Sequence, residues 1–278
     1  MAYPVLAWCR RQWPDCYTHW QIARRHHTTV GLWLCNPLID QIVVSDCDEG
    51  MGPRDMAIAE TCHVRFNIMP QHPDGDRAWA SRFTIWEETW RMAGLPIEEY
   101  RTLPAYDQRC HLTQWFEAPR QPKRTIALWP TSNYGVRQEW HSRFPSYTWS
   151  WQLVTRLEQE GYRVIQCGCP NDYRGEGGRD DREGLVAATD ARHLPFMDQI
   201  ALSLGCDVII GTDSGSTLVL AAYETVPTIQ LLTAHMPGGQ RPDAFASNSP
   251  TNVPLFAAAS ADDISIDTVA EMLKQVTS

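Results

Sequence analysis

The chain has 278 residues, 43% hydrophobic residues and a net charge of −9, a composition typical of a folded globular protein with one large or two ordinary domains. The acidic total argues against a general nucleic-acid binder, because neutralising phosphates requires clustered Lys and Arg. The nine cysteines are scattered, without a CxxC pair, which argues against a zinc knuckle and indicates a reduced, cytoplasmic compartment. We expect neither a signal peptide nor a membrane-spanning segment.

In the first half, periodic apolar positions predict short helices and strands. The expected helices are 3–13, 28–37 and 78–92, and the expected strands are 18–23, 40–46 and 63–69. Within residues 78–92, four aromatic residues recur at helical spacing and should form one stripe facing the core: Trp79, Phe83, Trp86 and Trp90. We interpret the twelve tryptophans as core filler, with stacking platforms as the alternative.

The segment "EAPRQPKR" (117–124) is the best linker candidate, and the alternation of strands and helices is clearer after it. The expected strands are 125–130, 162–168, 207–211 and 227–232, and the expected helices are 147–160, 195–205, 216–224 and 266–276. Apolar runs that are buried on both faces predict a parallel sheet between helix layers. We therefore expect an α/β protein with two Rossmann-like lobes, 1–118 and 119–278, and a cleft between them.

The stretch "CDVIIGTDSGSTLVLAAYETVPTIQLL" (206–232) places small polar residues between a strand and a helix. Ligands of parallel sheets bind beyond the carboxyl ends of strands, and a helix start favours an anion. Gly215 allows close approach by a phosphate or sugar, Ser214 and Ser216 flank it, and Asp213 can accept hydrogen bonds from hydroxyls. An ordinary helix N-cap explains the same residues equally well.

Two further loops follow strand ends. In "PTSNYGVRQEW" (130–140), Thr131 and Ser132 are hydroxyl donors, and Arg137 could bind a diphosphate bidentately. A solvated loop with a surface arginine also explains that segment. In "CGCPNDYRG" (167–175), Asp172 follows a strand end and could hold a ribose. The sequence contains no GxGxxG motif and no Walker A lysine, which favours a sugar-diphosphate nucleotide over NAD or ATP.

The second lobe resembles the donor-binding domain of the GT-B glycosyltransferases of family 9, the ADP-heptose:lipopolysaccharide heptosyltransferases. The similar stretches, within 124–235, are "LWPTSNYGVRQEWHSRFP", "ATDARHLPFMDQIALSLGCDVIIGTDSG" and "DSGSTLVLAAYETVPTIQL". In the first of them, Arg137 stands where the family usually has a lysine. The first lobe is similar to the family's acceptor side in "YPVLAWCRRQWPDCYTHWQI" and "NPLIDQIVVSD".

The resemblance implies a GT-B-like fold and an inverting, metal-independent glycosyltransferase. It would transfer a sugar, heptose in the family, from a nucleotide-diphosphate sugar to a glycan or lipopolysaccharide-type acceptor, without a further cofactor. The family's first strand and Gly-Asp loop, which carry its catalytic aspartate, have no counterpart before residue 3. Leu218 or Val219 stands where the family has a histidine. No catalytic base is assigned; the candidates, each explained as well by a surface or structural role, are Asp15, His26, His27 and Asp243.

Two alternatives stay open. The chain could be a non-catalytic nucleotide-sugar-binding remnant, because the family's base is not matched. It could instead be a glycosyltransferase that modifies a soluble glycan or, as a phage-type enzyme, a hydroxylated DNA base; a basic groove would support DNA. Peripheral membrane contact also stays open. The sequence does not specify the nucleotide, the sugar, the acceptor or the oligomeric state.

Overall fold

The structure is a computed structural model that describes residues 3–22, 24–33, 36–47, 52–64, 83–131, 144–233 and 243–278. These residues form two compact units. The first is drawn from Met1–Gly75 and Ile85–Trp115, and the second from Asp76–Thr84 and Phe116–Ser278. Several predicted features lie outside the described residues: Trp79, Ser132, Arg137 and the strand 63–69 beyond its first two residues.

The first unit contains short helices and one small parallel sheet. Its elements are α1 (Tyr3–Gln12), β1 (His19–Ile22), a 3-10 helix (Arg24–Leu32), β2 (Gln41–Val44), α2 (Pro53–Glu60), α3 (Ile85–Met92) and α4 (Ile97–Thr102). Strands β1 and β2 are parallel, with His19 opposite Gln41. The helix predicted at 3–13 and the strands predicted at 18–23 and 40–46 are confirmed. The helix predicted at 28–37 is wrong in type and bounds, because this segment is a 3-10 helix that starts at Arg24.

Two tryptophans of α3 anchor the core of the first unit. Trp86 and Trp90 are 3% and 0% exposed, as the aromatic stripe predicted. The indole of Trp90 donates to the carbonyl of Pro96 at 2.8 Å and lies edge-on to the ring of Trp8. The helix begins at Ile85 rather than at residue 78, so Phe83 precedes it. The interpretation of tryptophans as core filler is therefore confirmed for this pair, but it is wrong for Trp13, Trp115 and Trp151, which are 44%, 44% and 47% exposed.

The second unit is a six-stranded parallel sheet between helices. Its elements are β3 (Thr125–Trp129), α5 (Tyr147–Gln159), β4 (Arg163–Gln166), β5 (Gly178–Arg179), β6 (Arg182–Glu183), β7 (Thr189–Asp190), α6 (Phe196–Leu204), β8 (Val208–Thr212), α7 (Gly215–Ala222), β9 (Thr228–Thr233), β10 (Asn252–Ala257) and α8 (Ile266–Thr277). The strand order is β10-β9-β8-β3-β4-β7, and every pair in it is parallel. Each strand and helix that the sequence predicts in this half is confirmed, and β7, β10 and the β5–β6 hairpin are additional.

The residues of the sheet alternate between two helix layers. One face packs against α5 and α8 in a cluster that includes Leu128, Leu153 and Leu273. On the other face, the indole of Trp129 donates to the hydroxyl of Ser203 in α6 at 3.0 Å. Burial on both faces explains why the inner strands β3, β8 and β9 are largely apolar runs.

Candidate functional site

The strand order creates a topological switch point between β3 and β8. From β3 the chain moves through β4 to β7 on one side, and α6 then returns it to β8 on the other side of β3. In open parallel sheets, ligands bind at the carboxyl ends of strands beside such a reversal. Trp129 is opposite Gly211, so Thr131 and Asp213 leave neighbouring strands at this same edge. Two of the three predicted loops therefore flank the switch point.

The start of α7 is capped and open to solvent. Ser214 is the N-cap residue, and its hydroxyl accepts a hydrogen bond from the amide of Thr217 at 3.3 Å. Gly215 is exposed, and a Cβ built on it would meet no described atom within 4 Å. The first amides of a helix lack partners inside the helix, so those of Gly215 and the half-buried Ser216 can donate to a ligand. The N-cap interpretation is confirmed for Ser214, and it is compatible with an anion site at Gly215.

The end of β8 packs directly against the first turn of α7. A Cβ on Gly211 would lie 2.3 Å from the hydroxyl of Thr217, so α7 packs directly on the strand. Thr212 is fully buried, and its hydroxyl has no hydrogen-bond partner within the described part of the chain. Asp213 is 7% exposed and directly follows the strand. Buried hydroxyls are normally satisfied by protein, water or ligand, which makes Thr212 a further polar group at this edge.

The loop after β4 lies beside the end of β3. Asp172 is 5% exposed, and its Oδ2 accepts a hydrogen bond from the amide of Cys169 at 2.8 Å. Burial raises the pKa of Asp172, against the opposing effects of the Thr131 hydroxyl, the Cys169 amide and the Arg192 charge. The Thr131 hydroxyl is close enough to Asp172 to oppose the rise of its pKa, and it has no other hydrogen-bond partner among the described residues. The structure thus brings together Thr131 and Asp172, which the sequence placed in separate loops.

An ion pair between Arg192 and Asp190 lies at the end of β7 and holds the neighbouring loops. The guanidinium of Arg192 contacts both carboxylate oxygens of Asp190 and also donates to the carbonyls of Asp172 and Glu183. Burial raises the pKa of Asp190, but the hydrogen bonds and the charge of Arg192 outweigh it and keep that pKa below its ordinary value. Sequence reasoning missed Arg192, since a lone arginine after a strand is usually solvated.

The remaining candidates are placed as follows. Ser132 and Arg137 lie outside the described residues, so their roles stay predictions. Asp15 is exposed in the turn after α1, whereas Asp243 is half-buried in a turn between β9 and β10. His26 and His27 belong to the 3-10 helix of the first unit. None of these positions assigns a catalytic base.

The described residues offer neither a metal cluster nor a membrane-spanning helix. These ranges hold no group of three His, Cys, Asp or Glu side chains that could bind a metal ion. The helices described in them are all too short or too polar to cross a bilayer.

No protein-family model and no curated protein matches the sequence, but several solved structures are similar in fold. A family 9 glycosyl transferase from Veillonella parvula DSM 2008 is 13% identical, with 99% of this chain and 92% of that chain covered and a TM-score of 0.64. ADP-heptose lps heptosyltransferase II of E. coli is 15% identical, with 99% and 94% covered and a TM-score of 0.61. The iron-containing dodecameric glycosyltransferase TibC from enterotoxigenic E. coli H10407 is 14% identical, with 94% and 60% covered and a TM-score of 0.56.

At these identities the likeness is one of fold. The α/β class with parallel sheets and the resemblance to the GT-B glycosyltransferases of family 9 are both confirmed.

Proposed function

We propose that the protein is a glycosyltransferase whose donor is a nucleoside-diphosphate sugar. The observation that carries this proposal is the exposed start of α7 at Gly215, beside the switch point of the parallel sheet. Glycosyl transfer releases a diphosphate on which negative charge grows, and preorganised amides at a helix start stabilise such charge. The similarity of the fold to glycosyltransferases supports the same class of reaction.

Six of the eight predicted donor-binding residues contact the donor in this proposal. The amides of Gly215 and Ser216 donate to the diphosphate, and the hydroxyl of Thr131 adds a third donor from the neighbouring strand end. Asp172 accepts hydrogen bonds from the hydroxyls of the ribose, because its carboxylate lies at the same edge. Ser132 and Arg137 keep the diphosphate-binding roles that their types and spacing predict.

We also propose a donor, an acceptor and a type of transfer. The named heptosyltransferase of similar fold makes ADP-heptose the first donor to test. We propose an inverting transfer in the cytoplasm that needs no metal ion and no further cofactor. The acceptor is a glycan or lipopolysaccharide-type hydroxyl, and a base outside the assigned residues removes its proton.

Binding and turnover measurements test this function separately. ADP, GDP, UDP and dTDP are titrated by calorimetry and thermal shift, and the matching nucleotide sugars are then incubated with core glycans or hydroxymethylated DNA, with and without EDTA. We expect one diphosphate to bind and to raise the melting temperature, since a ligand of the native state stabilises it. We expect its sugar to be transferred equally well in EDTA. Failure of all four diphosphates to bind would contradict the proposal.

A second candidate is binding without catalysis. Leu218 and Val219, one of which stands at the histidine position of the resembled family, are apolar and cannot transfer a proton. A tightly bound nucleotide sugar that is neither transferred nor hydrolysed would favour this candidate.

A further inference from the structure

We propose that Gln199 is a positioning residue that fixes the loop Gly168–Asp172 and so holds the Asp172 carboxylate in place for a nucleotide. This inference rests on the proposed function, because it assigns Asp172 to the donor site. It concerns a side chain that does not itself contact the donor.

Gln199 clamps the first residue of the loop from both sides. Its side chain is on α6 and is almost fully buried. The Oε1 atom accepts from the amide of Gly168 at 2.8 Å, and the Nε2 atom donates to the carbonyl of Gly168 at 3.1 Å and to that of Leu194 at 2.9 Å. The side-chain amide of Gln199 therefore bonds main-chain groups outside α6, at Gly168 in the loop and at Leu194 just before the helix.

The position of Gly168 is coupled directly to Asp172. Gly168 has a φ of +125°, a conformation that side chains rarely adopt, and a Cβ there would lie 2.3 Å from Oδ2 of Asp172. The carboxylate therefore packs against this glycine. At the other end of the loop, Arg192 donates to the carbonyl of Asp172 at 3.4 Å. The loop is thus tied at both ends, with its carboxylate on the side of β3.

The chain offers a matched control in Gln230. This glutamine is also fully buried, and its side chain likewise bonds main-chain groups of a crossover, the carbonyl of Phe245 at 3.0 Å and the amide of Ser247 at 2.9 Å. That crossover carries none of the residues assigned to the donor. A purely structural role predicts the same behaviour for both glutamines, whereas positioning predicts a difference in nucleotide binding.

The test measures ADP affinity by calorimetry from about pH 4 to pH 8. The variants are Gln199→Met and Gln230→Met, each alone and combined with Asp172→Asn. We expect Gln199→Met to weaken ADP binding about tenfold, or about 1.4 kcal/mol. We also expect it to lower the pH at which binding is lost, because a loosened loop exposes Asp172 and removes the burial that raises its pKa. In the Asp172→Asn background, the same change should have little further effect.

The outcomes separate the two proposals. Gln230→Met should lower stability without changing ADP affinity. The positioning role is overturned if Gln199→Met leaves the ADP affinity and its pH profile unchanged. It is also overturned if Gln199→Met lowers ADP affinity equally with Asp172 and with Asn at position 172. Either result leaves the proposed function intact. If Gln199→Met does not fold, Gln199→Glu is used, which keeps the acceptor for Gly168 but cannot donate when ionised and should also weaken binding. If another diphosphate binds in place of ADP, it is used as the probe, and if none binds, both proposals are overturned.

Discussion

Replacing Gly215 with Ala should separate nucleotide binding from protein stability. The new Cβ meets no described atom within 4 Å, and Gly215 is the first residue of α7. Ala is favoured over Gly in helices by up to about 1 kcal/mol, so the free energy of unfolding should stay unchanged or rise. The methyl group would occupy the space that a phosphate needs above the amides of Gly215 and Ser216. Weakening one or two charge-assisted hydrogen bonds by about 1.5 kcal/mol each should reduce affinity by about tenfold or more.

The contrasting variant is Gly211→Ala, four residues earlier in the chain, which should lose stability as well as affinity. Its Cβ would lie 2.3 Å from the hydroxyl of Thr217, so α7 must shift and stability should fall by about 1–3 kcal/mol. Urea denaturation measures the stability of both variants, and calorimetry with the nucleoside diphosphate measures their affinity. If Gly215→Ala binds the diphosphate as tightly as the wild type, the phosphate does not lie over this helix start and the reasoning fails.

Three further substitutions test the supporting structure. Ser214→Ala removes the cap of the Thr217 amide and should lower the free energy of unfolding by about 1 kcal/mol in urea titrations, whereas Ser214→Asn should restore most of it. Burial raises the pKa of Asp172, so the folded state binds its proton more tightly than the unfolded state and stability is lost as pH rises through the folded pKa. Asp172→Asn should therefore gain stability relative to the wild type at neutral pH and lose that gain near pH 4, and a gain of equal size at both pH values would argue against a raised pKa. Arg192→Met leaves the half-buried carboxylate of Asp190 and the carbonyls of Asp172 and Glu183 without their partner and should cost about 1–3 kcal/mol of unfolding free energy, whereas no measurable loss would show that the pair is solvated.

The sheet of the second unit was predictable because its strands carry local signals. Runs such as those of β8 and β9 are apolar on both faces, and Pro195 and Gly205 bound α6. Strand β10 was missed because Pro254 interrupts it and Phe256 is exposed. Proline is tolerated there because β10 lies at the edge of the sheet, a fact that no local pattern contains.

Short elements of the first unit depend on tertiary contacts. Helix α4 lies between two prolines, in a segment for which the sequence predicts no regular element. Tyr100 of this helix is buried, and its hydroxyl donates to the carbonyl of Gln108. The segment predicted as a helix at 28–37 is a 3-10 helix from Arg24 instead. Isolated helices of this length are marginal, so their type and bounds are set by packing rather than by propensity.

The candidate site was predictable where it is contiguous in sequence. The residues around Gly215 combine a strand end, a cap and a helix start within a few positions. The contact of Thr131 with Asp172 required the strand order of the sheet. The clamp by Gln199 joins residues 31 positions apart through a buried side chain, which the spacing of residues does not reveal.

The central claim is that the start of α7 binds the diphosphate of the donor. A crystal structure of the protein with its bound nucleoside diphosphate tests it most directly. The account predicts phosphate oxygens about 3 Å from the amide nitrogens of Gly215 and Ser216, with the ribose hydroxyls at Asp172. A diphosphate bound elsewhere, with water alone at these two amides, would contradict it.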